Sequence, residues 1–179
     1  MRTIINKILG LAILASLSIG CSQSKSLQKF IVDEQESNTV ISFDLPASLL
    51  KIDKEMQSPE NLETLKTIKK ANVLVFKIDD TNKKMYQAKK QELKALLKQD
   101  KYTELMRFGN AKKGARIQLL GDADRINELI VFANDDAKGW LLVRILGNDM
   151  QPDKILNLLQ NSDLDADNAN LSFLKDLIQ

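Results

Sequence analysis

One thiol, no imidazole and a few runs of carboxylates are what this sequence offers for covalent or acid–base chemistry. The thiol is Cys21, the sole cysteine of the 179 residues. Without histidine, Ser-His-Asp and Cys-His arrangements cannot be built. The commonest general base near neutral pH is also missing. A zinc site would have to use carboxylates alone, which is unusual. The acidic run Asp163-Leu164-Asp165-Ala166-Asp167 has the alternation of a calcium loop. It fails at the sixth position, where Asn168 replaces the glycine of the sharp turn, and at the twelfth, where Leu174 replaces a bidentate glutamate. Asp79-Asp80 and Asp135-Asp136 are adjacent pairs. Neighbours on a strand point to opposite faces, so neither pair converges on one reacting centre, and both fit turns and caps. The glycines are isolated rather than gathered in a phosphate loop. The sequence therefore assigns no catalytic residue, no metal ligand and no cofactor, and a non-enzymatic role is expected.

Cys21 has a context. Arg2 and Lys7 precede an apolar stretch from Ile8 to Ile19, which closes as Leu17-Ser18-Ile19-Gly20-Cys21. The stretch is shorter than the roughly 20 residues of a spanning helix, and basic residues followed by a short apolar run are the mark of an export signal. Its end resembles the lipobox of bacterial lipoproteins, with Ser18 where leucine is more usual. That resemblance implies cleavage between Gly20 and Cys21, a diacylglyceryl group on the Cys21 sulfur and an acyl group on the new amine. Two or more chains anchor stably where one does not. The expected contacts are thus a membrane, held through the lipid on Cys21, and the lipoprotein export and processing machinery.

Removing residues 1–20 also removes Arg2 and Lys7, so 26 basic residues become 24 against 24 acidic ones. A neutral chain gives no reason to expect a nucleic-acid partner. The neutrality hides an asymmetry: residues 66–116 carry fifteen Lys or Arg against five acids, and residues 121–179 carry five against eleven. Such runs are ordinarily solvated faces, though the two parts can also attract each other or meet an anionic partner.

The elements that must carry these residues follow from the hydrophobic pattern. Residues 21–38 are expected to be the lipidated cysteine and a flexible tether, residues 39–160 a single domain, and residues 161–179 an acidic linker with a short C-terminal helix around Leu171–Leu174. Within the domain, Thr39–Phe43 alternates as a strand, and Pro46 opens a helical turn with Leu49 and Leu50 inward. Ser58-Pro59 is a cap followed by a first-turn proline, with Leu62, Leu65 and Ile68 on one face. Asn72–Phe76 is a strand-length apolar run. Thr81–Leu97 is the longest predicted helix, with Met85, Tyr86, Leu93, Leu96 and Leu97 on one side and Lys83, Lys90 and Lys94 on another. Tyr102–Phe108 places Tyr102, Met106 and Phe108 in one phase, and Ala115–Leu120 places Ile117 and Leu119 in one. Glu128–Ala133 and Trp140–Leu146 read as a hairpin about Asn134–Gly139. Pro152 starts a last helix with Ile155, Leu158 and Leu159 inward. Short connections favour antiparallel pairing. The class is α+β: an antiparallel sheet of about four to six strands with helices mainly on one face.

Several of these segments together resemble a known family. Tyr102-Thr103-Glu104-Leu105-Met106 is similar to a Tyr-x-Glu-Leu-Met segment of Bacteroidetes-type lipoproteins classed as a domain of unknown function (4252). Pro46–Leu50 and Ile68–Leu74 fit earlier segments, and Val143–Ile155 fits the closing one, read as a strand-to-helix turn over Gly147–Pro152. Gln151 stands where the family pattern has asparagine. The resemblance implies no catalytic residues. It implies an outer-membrane anchor in a Gram-negative envelope, and the acid-free Ser22–Ser26 points to the periplasmic face. The expected function is a lipid-anchored binding or interaction module, with an envelope protein as partner. The alternatives are a carboxylate-based periplasmic hydrolase and a partner-binding regulator of envelope stress signalling.

Overall fold

The computed structural model describes residues 25–49, 58–122 and 124–161. Gly20, Cys21, the leader, Leu50 and the acidic run at 163–167 lie outside the described residues, as does the C-terminal segment from residue 162. The elements in chain order are α1 (Leu27–Gln35), β1 (Ile41–Pro46), a single 3-10 turn (Ala47–Leu49), α2 (Pro59–Thr67), β2 (Ile68–Lys77), α3 (Lys83–Leu96), β3 (Thr103–Gly109), β4 (Lys113–Gly121), β5 (Ile126–Asp135), β6 (Gly139–Met150) and α4 (Pro152–Asn161).

The six strands form one sheet in the order β1-β2-β6-β5-β4-β3. Every pairing is antiparallel. Strands β3 to β6 are a meander. β2 reaches β6 only after that meander is complete, so the sheet closes on a pairing of long sequence separation. The residues at its middle explain why: β2 and β6 carry apolar side chains on both faces, and Val73, Leu74, Val75, Phe76, Trp140, Leu141 and Leu142 are all buried. A strand buried on both sides belongs inside a sheet, not at its edge.

The sheet and the α+β class are as the pattern predicts. The helices, expected mainly on one face, divide between the two. α1 and α3 cover one face, where Leu27, Phe30, Ile31, Tyr86, Leu93, Leu96 and Leu97 pack on Leu74, Phe76, Ile130, Phe132, Trp140 and Leu142. α2 and α4 lie over one end of the opposite face, where Leu65, Ile155 and Leu158 meet Ala71, Leu119, Leu129 and Ile145. Trp140 anchors the first core, stacked on Phe76 at 5.7 Å between ring centroids and tilted against Phe30 at 6.2 Å.

Four local readings are corrected. The flexible tether expected over 22–38 contains a helix. Ser26 caps α1, its hydroxyl accepting from the Lys29 amide at 3.1 Å, and Leu27, Phe30 and Ile31 fall at helical spacing and are fully buried. Only Ser22–Ser26 is left between Cys21 and the fold. In α2, Ser58 accepts from the Asn61 amide and Pro59 takes the first turn as predicted, but Leu62 is exposed and Thr64 is the buried residue. In β3 a register shift between Glu104 and Met106 switches the facing of the strand. Tyr102 therefore joins the α1–α3 core, while Met106 and Phe108 pair with Ile117 and Ala115 on the other face. Finally, β6 runs on to Met150, so the turn expected over Gly147–Pro152 shrinks to Gln151. Extra residues are taken up where Ile126 pairs with Met150 but Glu128 pairs with Leu146, and Asp149 there has φ 51°.

Candidate binding pocket

α3 is the element that brings charge to the sheet. Its apolar side, Tyr86, Leu93 and Leu96, is buried against the core, and Met85, predicted on that side, is exposed. The lysines predicted to share an outward stripe do three different things. Lys83 is exposed and pairs with Asp80 at 3.0 Å. Lys90 turns inward, buried, and its ammonium holds the Asp136 carboxylate, which also accepts from the Tyr86 hydroxyl at 2.8 Å. Lys94 is half-buried and donates to the Ala111 carbonyl at 3.3 Å.

Burial opposes ionisation of Asp136, but the hydrogen bonds from Lys90 and Tyr86 outweigh it and hold the carboxyl below its ordinary value. Burial, with the Asp136 charge adding to it, pushes the Tyr86 phenol far up. The neighbouring Asp135 accepts from the Ala137 amide at 2.8 Å, so the two adjacent carboxylates serve a turn and an ion pair and do not converge. Asp79 likewise closes the turn before α3, accepting from the Thr81 and Asn82 amides at 2.7 and 3.0 Å.

Beyond Lys94, the end of α3 and strands β3 to β5 enclose a cavity of about 550 Å³. Leu97, Tyr102 and Phe132 contribute to its apolar wall, and Lys94, Lys98, Arg107 and Arg116 bring four cationic side chains to its lining. The β3–β4 turn forms one rim. Its backbone passes through Gly109 at φ 67°, where a Cβ would lie 2.3 Å from the Lys113 carbonyl oxygen, so no other residue fits without a shift. Asn110 closes the turn by accepting from the Lys112 and Lys113 amides, and Asn134 donates to the carbonyls of Ala111 and Lys112 beneath it.

The charges in the cavity are unevenly matched. Among the described residues Glu104 is the only acidic side chain in the lining, and Arg107 holds both of its carboxylate oxygens, at 2.9 and 2.7 Å. Arg116 and Lys98 have no ion-pair partner among the described residues. Burial and the nearby Arg107 push the Arg116 guanidinium down from its ordinary value. Burial, then Lys90 and Arg116, do the same to Lys94. Both charges are under-solvated, and the acids that act on them, Glu104 on Arg116 and Asp136 on Lys94, offset this only in part. At the inner wall, Gln118 is buried; its amide nitrogen donates to the Leu97 carbonyl at 2.7 Å, and its oxygen has no donor among the described residues. Burial raises the Tyr102 phenol to about 12, so it stays a neutral hydroxyl at the cavity. Taken as chemistry, the lining offers cationic donors, one free acceptor and an apolar wall: the complement of an anion that carries a hydroxyl or protonated oxygen and an apolar body.

A second polar cluster lies under α1. Arg144 on β6 and Glu128 on β5 are both buried and joined by two parallel bonds, one of 2.9 Å from Nε. Gln28 of α1 accepts from the same guanidinium. All three groups are used up in fastening α1 to the sheet, and Lys89 adds a 2.6 Å bond to the buried Glu34 of α1.

Sequence reading did not find this pocket. Arg116 and Gln118 sit at alternate positions of β4, which was a usable signal for a polar face, but their meeting with Lys94 depends on the packing of α3. The site residues predicted from sequence, Gly20 and Cys21, are outside the described residues. Among the described residues, no group of three or more acidic residues is placed to hold a metal ion, and no helix is long and apolar enough to cross a membrane. Neither characterised proteins nor solved structures gave a significant match. One family model matches residues 33–158, the body of the domain from the middle of α1 to α4. The chain belongs to the family described as a domain of unknown function (DUF4252).

Proposed function

We propose that this protein is a lipid-anchored envelope binding module. In this reading Cys21 carries the acyl groups and the cavity at the end of α3 receives an anionic group attached to an apolar body. The observation that carries the binding site is the set of cations left without acids: Arg116 and Lys98 unpaired among the described residues, and Lys94 held only by a carbonyl. Arg116 and Lys94 are half-buried, where a cation without an acid is costly, and an anionic ligand removes that cost; Lys98 is exposed and adds only its charge. The anchor rests on the Leu17–Cys21 pattern, and the outer membrane, periplasmic side, is its proposed address. The described carboxylates support binding over hydrolysis, because Glu104, Asp135 and Asp136 are each engaged by a neighbour.

Two experiments test the two parts. Calorimetric titration with dodecyl phosphate should show saturable binding that Arg116→Ala weakens at least tenfold and that dodecyl maltoside does not reproduce. Equal binding of both detergents, or an unchanged affinity for the variant, defeats the pocket. For the anchor, Cys21→Ala should release the protein from the membrane fraction and abolish incorporation of labelled palmitate. A variant that remains lipidated and membrane-bound defeats it.

A further inference from the structure

β3 is an outermost strand of the sheet and the barest of the six. All seven of its residues, Thr103–Gly109, are exposed, and among the described residues no strand lies beyond it. Leu105, Met106 and Phe108 are exposed large apolar side chains, and no other described element carries more than one. The opposite edge differs. β1 mixes exposed with half-buried positions. It ends in Pro46, which has no N–H to offer a further strand. Its Asp44 is tied to Gln35 of α1 at 3.1 Å and to Asn72 of β2 at 2.6 Å. β3 contains no proline, and past the bulge between Glu104 and Met106 its pairing runs regularly to Gly109.

Two cavities of different chemistry flank β3. On the α3 side is the cationic one, to which Glu104 and Arg107 of β3 contribute. On the α4 side is a second, of about 510 Å³, whose wall includes Leu105 and Met106 of β3 with Pro152 and Leu156 of α4. We propose that β3 pairs with an extended segment of a partner protein in which acidic and apolar residues alternate. An added strand would lie about 4.8 Å beyond β3 and send successive side chains to opposite faces. A period of two therefore delivers one set of side chains to the cationic cavity and the other to the apolar one. Main-chain bonds to a free edge supply affinity, and pockets for alternate side chains supply selectivity. Charge decides which set is acidic. Lys94, Lys98, Arg107 and Arg116 face a single carboxylate, Glu104, among the described residues of the lining, so a glutamate is matched there and a lysine is repelled. Arg116, on β4, is two strand spacings from the added strand, about 10 Å, within the joint reach of its own side chain and a glutamate's. The inference rests on the reading of the cavity as an anion site, and adds that the bearer of the anion is a polypeptide strand.

The probe is a dye-labelled heptapeptide alternating valine and glutamate, titrated into the protein by fluorescence anisotropy. It should bind saturably, and both Arg116→Ala and replacement of its glutamates by lysine should weaken it at least tenfold. Every second backbone nitrogen of the peptide is then methylated, in each of the two phases. One phase should lose binding and the other keep it, because only alternate amides face β3. Amide resonances of Thr103–Gly109 should shift on binding, and those of Ile41–Leu45 at the other edge should not. Equal tolerance of both methylated phases, with Arg116→Ala still weakening the peptide, overturns strand addition and leaves the anion site standing. A peptide that fails to bind where dodecyl phosphate binds does the same; failure of both ligands removes the site as well. Broadening of the β3 amides that grows with protein concentration in the absence of peptide also overturns the proposal, because a second copy of the chain would then be the occupant.

Discussion

The two faces of the sheet are held by different physics. Under α1 and α3 the core is aromatic and partly polar: Trp140, Phe76, Phe30 and Tyr86 are packed among Lys90, Glu128, Arg144 and Gln118, each buried and each with specified hydrogen-bond geometry. The opposite face is mostly aliphatic: one row runs Val75, Leu141, Ala133 and Ala115 between Ile41 and Phe108, and the next runs Val73, Val143, Val131 and Ile117 between Phe43 and Met106. Directional bonds fix where α1 and α3 sit, because a displaced helix would strand a buried charge. Aliphatic rows fix only that something apolar must cover them. The pocket belongs to the first face, where position is specified, which is where a recognition site needs to be.

This contrast can be broken most severely at its aromatic centre. Trp140→Ala should destabilise the protein by about 4 kcal/mol in urea unfolding, against about 1 kcal/mol for Val143→Ala on the aliphatic face. Arg144→Met should cost about 3 kcal/mol by leaving Glu128 buried and unpaired, and the double change with Glu128→Leu should recover most of it. No such recovery would mean that the pair acts through packing rather than charge. Acid sharpens the same difference. The Asp136 carboxyl titrates below its ordinary value in the folded protein, so its contribution is complete above the unfolded carboxyl value, near 3.9, and is lost as pH falls through the folded value. Urea midpoints between pH 5 and pH 2 should therefore decline less steeply in Asp136→Asn. Ser58→Ala, which removes the cap of α2, should cost about 1 kcal/mol. The smallest effect is expected at Phe108→Ser on the exposed edge of the aliphatic face, within about 0.5 kcal/mol.

How much of this was legible in sequence follows the same division. β2, β6, α2 and α3 carry strong periodic or capping signals; α3 forms close to its expected bounds and α2 starts at its predicted cap, while β2 and β6 form where expected but run longer, over Ile68–Lys77 and Gly139–Met150. α1 was legible too, through Ser26 as a cap and Leu27, Phe30 and Ile31 at helical spacing, but the polar stretch before it and the acids within it mask three apolar residues in a short helix. The Glu104–Met106 register shift was not legible, because a bulge obeys the partner strand as much as its own residues. The pocket lay further still from reach. Lys94, Arg116 and Gln118 look like ordinary polar positions until α3 is laid over β4, and the inward turn of Lys90 depends on Asp136, 46 residues away. The family resemblance was recognised from Tyr102–Met106 and its companion segments, and it carried no role for any of these residues.

The early start of α1 bears on how the protein would stand at a membrane. Five residues, Ser22–Ser26, separate the proposed acylation site from a helix fastened to the sheet through Gln28 and to α3 through Glu34. Fully stretched they reach about 17 Å, less than the width of the sheet itself. Were Cys21 acylated as proposed, so short a leash would keep the domain from tumbling freely above the lipid. It would hold the fold near the bilayer, with the end that starts at Leu27 facing down.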